Sequence, residues 1–251
     1  MRLDQFLVAK NLADSRARAQ EMIKTGLVQV DGTVQHKPAF TVADTADIDI
    51  LGAVHPWVGR GGMKLSHALK KFSVSVVGRI CLDLGASTGG FTDVLLTNGA
   101  AKVFAVDVGH DQLHEKLRKD ARVVNLEGLH AKDVTKDHVP AAIDLLTVDL
   151  SFISVTKALP AVLPLLAEKA VAVVLVKPQF EAGRENIGKG GLVKDPAVQA
   201  AAVAAVTRFL QESGFIVDDP LDSPIPGGDG NREFLLHARL SESAGFLQNP
   251  T

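Results

Sequence analysis

From about residue 61 onward, short apolar runs alternate with segments in which apolar residues recur at helical spacing. The apolar runs occupy residues 79–84, 102–108, 122–126, 143–150, 170–176, 215–218 and 233–240. The helical segments occupy residues 63–72, 89–98, 111–119, 154–167 and 196–213. Strands that alternate with helices are typical of a doubly wound, mostly parallel sheet, and we predict such a sheet with seven strands.

The first 52 residues follow a different pattern. LDQFLVAKNL and DSRARAQEMIK have apolar residues at helical spacing, and the second helix is expected to end before Gly26. LVQVDGTVQ alternates around Asp31-Gly32, a hairpin signal, and DIDI predicts one more short strand. The predicted organisation is an α+β domain at 1–52, a linker at 53–60, a larger α/β domain at 61–242 and a tail at 243–251.

Composition narrows the class of protein only slightly. The net charge is −2, so the overall charge does not indicate nucleic-acid binding. The hydrophobic fraction, 46%, is that of a globular protein. The single cysteine, Cys81, excludes a disulfide framework, and we predict no metal site. Two prolines and two charges interrupt the apolar region 158–176, and the N-terminus does not resemble a signal peptide. We therefore expect a cytoplasmic protein without membrane insertion.

The stretch CLDLGASTGGFTDVLL, residues 81–96, predicts a strand, a glycine-rich turn and a helix. Asp107 ends the next strand 22 residues after Gly85, where an acid commonly accepts hydrogen bonds from ribose hydroxyls. The turn lacks the G-x-G-x-x-G spacing that a pyrophosphate needs and the lysine of a P-loop. Asp83 would repel a diphosphate but suits an ammonium group.

These features favour S-adenosylmethionine over a dinucleotide, and the alternative is a tight turn that binds no ligand. The predicted cofactor-binding residues are Asp83, Gly85, Ala86, Ser87, Thr88, Gly89, Asp107, Val108 and Asp149.

Asp149 and Lys177 end two later strands. Lysine is rarely buried without a partner, so the two side chains form either a simple buried ion pair or an amine placed beside the transferable group. Lys64, on the helix before the first strand, and Glu233, at the start of the last strand, are candidates for the same site. For each of these two, the alternative is an ordinary solvated surface charge.

Taken together, these residues resemble the TlyA family, whose members are named as haemolysins and act as ribosomal RNA 2′-O-methyltransferases. The resemblance rests on RLD at 2–4, SRARA at 15–19, RGGMKL at 60–65, DLGASTGGFTDVLL at 83–96, AVDVG at 105–109, DLSFIS at 149–154, VKPQFE at 176–181, GGLVKDP at 190–196 and GN at 230–231. It implies an S-four-like RNA-binding domain followed by a Rossmann-like, FtsJ-like methyltransferase domain that uses S-adenosylmethionine.

The resemblance also implies a catalytic tetrad of Lys64, Asp149, Lys177 and Glu233. As a hypothesis for its mechanism, we assign Lys177 to the proton or the lone pair of the ribose hydroxyl, as general base if the amine is neutral. Asp149 would orient that amine, and Lys64 and Glu233 would hold the ribose and each other. The implied substrate is a cytidine of ribosomal RNA within ribosomal subunits. The RLD begins at residue 2, and such a short N-terminus implies activity on the large subunit alone.

Three positions depart from the family pattern. His110 stands where a tyrosine is common, and His130 and Lys132 stand where an asparagine and an arginine are usual. The expected RNA-binding residues are Arg2, Arg16, Arg18, Lys24 and Lys37, with exposed solubilising charges as the alternative. The glycine-rich segment 181–196 is either a loop that closes over substrate or an ordinary exposed loop.

Two other functions compete with RNA methylation. One is a membrane-active haemolysin, which would need a surface-bound amphipathic helix. The other is an RNA-binding protein with a catalytically dead methyltransferase fold, which the four chemically competent tetrad residues argue against. The oligomeric state remains open.

Overall fold

A computed structural model describes residues 1–51, 55–227 and 230–241. The chain divides into two compact units between Pro56 and Trp57, inside the segment 53–60 that the sequence analysis assigns to a linker. Residues 53 and 54 of that segment, and the whole predicted tail 243–251, lie outside the described residues.

The first unit contains two helices and a small antiparallel sheet, as the pattern of apolar residues predicts. The helices are α1 (Leu3–Ala9) and α2 (Arg16–Lys24), and the strands are β1 (Val28–Val30), β2 (Thr33–Val34) and β3 (Ile48–Ile50), in the order β2-β1-β3. Asp31 and Gly32 both adopt positive φ, 49° and 74°, which is the backbone of a tight hairpin turn.

The second unit is built on a twisted, mostly parallel sheet. Its strands are β4 (Ile80–Leu84), β5 (Lys102–Asp107), β6 (Val123–Glu127), β7 (Ile143–Val148), β8 (Leu166–Val176), β9 (Phe215–Val217), β10 (Leu221–Asp222) and β11 (Phe234–Leu240). The order is β10-β11-β8-β7-β4-β5-β6, with β9 paired to β11. The predicted doubly wound fold is confirmed. The strand that sequence analysis missed is β10, whose two residues are too few to show alternation.

Helices cover both faces of this sheet. They are α3 (Gly61–Lys71), α4 (Gly90–Thr97), α5 (Glu115–Arg118), α6 (Val155–Ala158), α7 (Pro178–Glu181) and α8 (Pro196–Glu212). The helix predicted over 154–167 breaks after one turn into two short 3₁₀ segments, because Pro160 and Pro164 have no N–H to donate. The helix predicted over 111–119 begins only at Glu115, since Asp111 has a φ of 53°.

The order of the strands determines where a ligand can bind. After β4 the chain adds β5 and β6 on one side and then returns to place β7 and β8 on the other. Strands β4, β5, β7 and β8 run parallel, so their carboxyl ends meet at one edge of the sheet. The crevice at such a reversal is the usual ligand site of this architecture.

Candidate active site

The turn between β4 and α4 fits tightly against the loop that follows β7. Gly85 has a φ of 85°, and a Cβ there would overlap the carbonyl oxygen of Asp149 and lie 2.9 Å from its carbonyl carbon. The backbone N–H of Asp149 donates to the carbonyl of Leu84 over 2.8 Å. Only glycine allows this approach, so the glycine of the turn and the end of β7 form one packed unit.

Asp107 at the end of β5 is already held by backbone donors. Its Oδ2 accepts from Ser87 N over 2.8 Å, and its Oδ1 accepts from Gly109 N over 2.7 Å. Each carboxylate oxygen can accept a second hydrogen bond. The carboxylate is therefore fixed before a ligand arrives and can still accept from ribose hydroxyls.

A cavity of about 570 Å³ opens over this edge of the sheet. Of the predicted cofactor residues, Gly85, Ser87, Asp107, Val108 and Asp149 line it. Sequence analysis did not assign the other lining residues to the cofactor site, although it named two of them as departures from the family pattern. These other lining residues are Val106, Gln112, Leu129, His130, Ala131, Lys132, Leu150, Ser151, Phe152 and Ile153. The two departures, His130 and Lys132, thus lie at the cavity, whereas the ring of His110 rests against Gly128.

A second cavity of about 180 Å³ lies beside the first. Ala86 and Thr88 of the predicted set line it, together with Lys64 and Arg60 from the start of α3. The remaining lining residues are Gly59, Gly61, Gly85, Ser87, Gly90, Phe91 and Asp149. Gly85, Ser87 and Asp149 border both cavities, so the carboxylate of Asp149 stands between them.

Asp83 and Gly89 do not reach either cavity. Asp83 is fully buried, and its carboxylate accepts from Thr92 Oγ1 over 2.7 Å and from Thr147 Oγ1 over 2.9 Å. Burial, reinforced by the charge of Asp149, raises the pKa of Asp83 to about 7. The expectation that Asp83 meets an ammonium group is not supported by this position, because the side chain instead joins β4, α4 and β7. Gly89 packs against Leu113 and Leu117.

The four tetrad residues form two ion pairs. Nζ of Lys177 lies 2.6 Å from Oδ1 of Asp149, because β7 and β8 are parallel neighbours. Lys64 pairs with Glu233, and their side chains are 6% and 2% exposed. Lys64 and Asp149 line a cavity, whereas Lys177 and Glu233 lie just behind the lining. The structure thus brings the predicted residues to one edge of the sheet in two distinct pairs.

Sequence analysis missed two residues in the loop after β7. Ser151 Oγ accepts a hydrogen bond from Lys177 Nζ over 2.9 Å. Phe152 has a φ of 65° and is 93% exposed, with its ring centroid 5.2 Å from that of Phe180. Both lie within the DLSFIS motif, but nothing in the sequence shows that one reaches the lysine and the other faces solvent at the cavity.

The expected RNA-binding arginines divide into two groups. Arg2 and Arg16 are about half exposed and both bind Asp4: Arg2 donates to Oδ1 over 2.9 Å and to Oδ2 over 3.0 Å, and Arg16 donates to Oδ2 over 3.0 Å. Arg2 above all, with Gln20 and Arg16, holds the pKa of the buried Asp4 carboxyl well below its usual range. Arg18 is only 19% exposed and donates to the carbonyl of His55 over 2.8 Å. Arg18 therefore has a structural partner within the first unit and is poorly placed to contact RNA.

Lys24 and Lys37, the two lysines expected to bind RNA, are exposed on the first unit.

In the second unit, the segment 181–196 forms short 3₁₀ turns at Arg184–Asn186 and Lys189–Gly191. Its later part is attached to Asn231, which accepts from Val193 N and donates to the carbonyl of Gly191, each over 2.9 Å. Closure of this loop over a substrate stays a prediction.

This architecture defines a class of protein. A doubly wound sheet with a glycine-rich turn, an acid after the next strand and no phosphate-binding fingerprint is that of an S-adenosylmethionine-dependent methyltransferase. The FtsJ-like methyltransferase family matches residues 57–240, and the S4 domain family matches residues 1–48. The chain belongs to the FtsJ-like methyltransferase family and carries an S4 domain before the methyltransferase domain.

Known relatives match this protein over nearly its whole chain. A 16S/23S rRNA (cytidine-2′-O)-methyltransferase TlyA from Mycobacterium tuberculosis is 46% identical over 239 residues, which are 95% of this chain and 89% of that protein. A solved structure from Streptococcus thermophilus that carries the name hemolysin is 40% identical, with a TM-score of 0.78, and covers 97% of this chain and 89% of its own. The predicted resemblance to the TlyA family is confirmed.

A more distant structure shows the fold alone. The S-adenosylmethionine-dependent methyltransferase of Listeria monocytogenes is 20% identical with a TM-score of 0.55, and it covers 73% of this chain and all of its own. The predicted cofactor class, S-adenosylmethionine, agrees with the FtsJ-like methyltransferase family. Among the described residues, no group of side chains could hold a metal ion.

Proposed function

We propose that this protein transfers a methyl group from S-adenosylmethionine to a ribose 2′-hydroxyl of a cytidine in ribosomal RNA. The observation that carries the proposal is the Asp149–Lys177 pair, with its atoms 2.6 Å apart, where two neighbouring strands end beside a cavity of about 570 Å³. The name of the Mycobacterium tuberculosis relative supports the same reaction and the same nucleoside.

The two cavities suggest how the cofactor lies. The larger one has room for the adenosine, with the ribose at Asp107, and the smaller one offers the cations Arg60 and Lys64 to a carboxylate. Asp149 borders both cavities, so its carboxylate would lie next to the sulfur of the bound cofactor. When bound, S-adenosylmethionine supplies an electrophilic methyl group on a positively charged sulfur.

Lys177 and Asp149 do the chemistry that the chain itself contributes. Asp149 forms an ion pair with the Lys177 amine and holds it beside the cavity. In its neutral form the amine can accept the proton of the 2′-hydroxyl while the hydroxyl oxygen attacks the methyl carbon. Alignment of the hydroxyl with the methyl group can supply on the order of 7–11 kcal/mol of the barrier reduction. Lys64 and Glu233 hold the ribose side of the site through their own ion pair.

Both units have side chains that are suited to binding RNA. In the first unit, Asp4 holds the half-exposed guanidinium groups of Arg2 and Arg16 next to one another, where they can contact phosphates. Lys24 and Lys37 add exposed positive charges. In the second unit, the ring of Phe152 is exposed at the cavity and can stack on an unpaired base. We propose ribosomal subunits in the cytoplasm as the partner; these features and the rRNA in the relatives' names support an RNA partner.

The alternatives gain no comparable support. The described residues contain no helix long and apolar enough to cross a membrane. A catalytically dead protein is less well supported, because all four tetrad residues are present and meet at this edge of the sheet. Dye release from liposomes by the purified protein would revive the membrane-active function.

The proposal is tested by tritiated methyl transfer from S-adenosylmethionine. The substrates are the two ribosomal subunits isolated from a strain that lacks this protein, and the control enzyme is Lys177→Ala. We expect label on a cytidine 2′-oxygen, located by nuclease digestion and mapping of the labelled fragment. Label on a base, or no label on either subunit, would overturn the proposal. Because the relative is named for both subunits, the experiment also tests the expectation of large-subunit activity alone.

A further inference from the structure

We propose that Ser151 is a positioning residue for Lys177, and that its hydroxyl determines the direction in which the amine presents its lone pair. The inference rests on the proposed function, in which Lys177 accepts the proton of the ribose hydroxyl. It adds a residue, outside the predicted tetrad, that acts on the reaction through the lysine.

The Lys177 amine has two partners in the loop after β7. Oδ1 of Asp149 lies 2.6 Å from Nζ as an ion-pair partner, and Oγ of Ser151 accepts a hydrogen bond from Nζ over 2.9 Å. The lysine follows the neighbouring strand β8, and its side chain is 11% exposed. Both partner residues border the larger cavity.

The hydrogen bond to Ser151 fixes the rotation of the amine. A neutral amine has two N–H groups and one lone pair in tetrahedral directions. One N–H donates to Ser151 Oγ over 2.9 Å, which leaves two directions for the other N–H and the lone pair. Asp149 Oδ1 lies 2.6 Å from Nζ but accepts no hydrogen bond from the described residues, so it acts on the amine through its charge and does not fix the rotation about the Cε–Nζ bond. Ser151 thus removes an ambiguity that the ion pair leaves open.

The loop that carries Ser151 is itself fixed on both sides. At its start, Asp149 N donates to the carbonyl of Leu84 over 2.8 Å. At its end, the carboxylate of Glu181 accepts from Ser154 Oγ over 2.6 Å and from Val155 N over 2.8 Å. Glu181 lies in α7, the helix that follows Lys177 directly. The serine loop is therefore attached to β4 at its start and to the segment that follows Lys177 at its end, which restricts the distance between Ser151 and Nζ.

The proton transfer balances with Ser151 as a spectator. A lone pair of the 2′-oxygen forms the bond to the methyl carbon, and the electrons of the carbon–sulfur bond move to sulfur, which leaves as a neutral thioether. The hydroxyl proton moves to the lone pair of Nζ. The resulting ammonium has three N–H groups, of which one keeps its bond to Ser151, and its positive charge lies beside the Asp149 carboxylate. Ser151 gains and loses no proton.

The test compares Ser151→Ala with Ser151→Thr, which keeps the hydroxyl. We expect Ser151→Ala to lower kcat by about tenfold, the order of loss that a misdirected reacting group causes, with KM for both RNA and S-adenosylmethionine unchanged. Ser151→Thr should restore kcat to within about threefold of the wild type, because its hydroxyl can accept from the same amine. Unchanged melting temperature and cofactor affinity, measured by calorimetry, would show that both variants are folded.

Lys177→Ala, assayed in parallel, separates this inference from the proposed function. If Lys177→Ala is inactive while Ser151→Ala keeps a normal kcat, the role of Ser151 is wrong and the proposed function stands. If Lys177→Ala turns over normally, the proposed mechanism fails and the inference fails with it. A rise in KM for RNA without a change in kcat would mean that Ser151 contacts the substrate directly. Equal losses in the alanine and threonine variants would also overturn the inference.

Discussion

Lys64 and Glu233, 169 positions apart in the sequence, form an ion pair in which both side chains are almost fully buried. The pair joins α3 to the start of β11 at the edge of the smaller cavity. Removing two charges from water is costly, and the cost is recovered only while each charge has its partner. The pair therefore has a structural role as well as a role in the site, and the two can be separated.

We predict that Glu233→Ala lowers the free energy of unfolding by about 3–5 kcal/mol, because it leaves the Lys64 ammonium buried without a partner. The matched control is the double variant Lys64→Met with Glu233→Leu, which replaces the pair with apolar side chains of similar size. The double variant should regain stability near that of the wild type but not methyl transfer. Urea unfolding and the tritium assay measure the two properties. Recovered methylation by the double variant would show that the pair serves only the fold.

Lys177→Arg should be inactive although it keeps a cation beside Asp149. Arginine cannot give up its proton in a protein, so it cannot accept one from the ribose hydroxyl. The expected loss in kcat is roughly 10²–10⁴-fold, the usual contribution of a general base, and Lys177→Ala should lose a similar factor. Affinity for S-adenosylmethionine, measured by calorimetry, should stay within a few-fold. Substantial turnover by the arginine variant would mean that only the positive charge is needed.

Asp83 should make the stability of the methyltransferase domain depend on pH. Burial raises the pKa of Asp83 to about 7 from an ordinary value of 3.8, so the folded protein holds this proton more tightly than the unfolded chain. The stabilisation is complete below about pH 4 and is lost as pH rises to about 7, which amounts to roughly 4 kcal/mol over three pH units.

Asp83→Asn removes this titration but keeps a side chain that can hydrogen-bond to Thr92 and Thr147. Relative to the wild type, the variant should therefore become more stable as the pH rises from about 4 to about 7. Trp57, the only tryptophan of the chain, lies in the second unit, so its fluorescence during urea unfolding follows the relevant domain. A stability difference that does not change with pH would contradict the prediction.

The arginines of the first unit should differ in their contribution to RNA binding. Each phosphate contact contributes about 0.7–0.9 to the slope of log K against log salt concentration. Arg2→Gln and Arg16→Gln should each reduce that slope by about this amount, measured by filter binding of ribosomal RNA between roughly 50 and 200 mM salt. Arg18→Gln is the matched control, since its partners are His55 and Glu21 and its side chain is only 19% exposed. An equal reduction in Arg18→Gln would contradict this division.

The parts of the site that could be predicted are those set by strand direction. Because parallel strands end at the same edge, the residues after β7 and β8 were expected at one edge of the sheet, and the pairing of β7 with β8 brings Asp149 and Lys177 into an ion pair. The direction of a side chain within a strand could not be predicted in the same way. Asp83 lies next to the glycine turn in sequence, yet its carboxylate turns inward to Thr92 and Thr147.

Contacts between residues far apart in the chain could not be predicted from the sequence either. The bond from Arg18 to the carbonyl of His55 joins residues 37 positions apart, and no periodicity indicates it. The helix predicted over 154–167, by contrast, was an avoidable error. Its apolar spacing is helical, but Pro160 and Pro164 stand within it, and the loss of two N–H donors outweighs the periodicity.

The contact between Gly85 and Asp149 connects the two halves of the site. A Cβ at position 85 would overlap the carbonyl oxygen of Asp149, so no side chain fits there. A larger residue at this position would push the Asp149 backbone away from the turn, and the ion pair with Lys177 would shift with it. One glycine thus keeps the donor side and the acceptor side of the site in register.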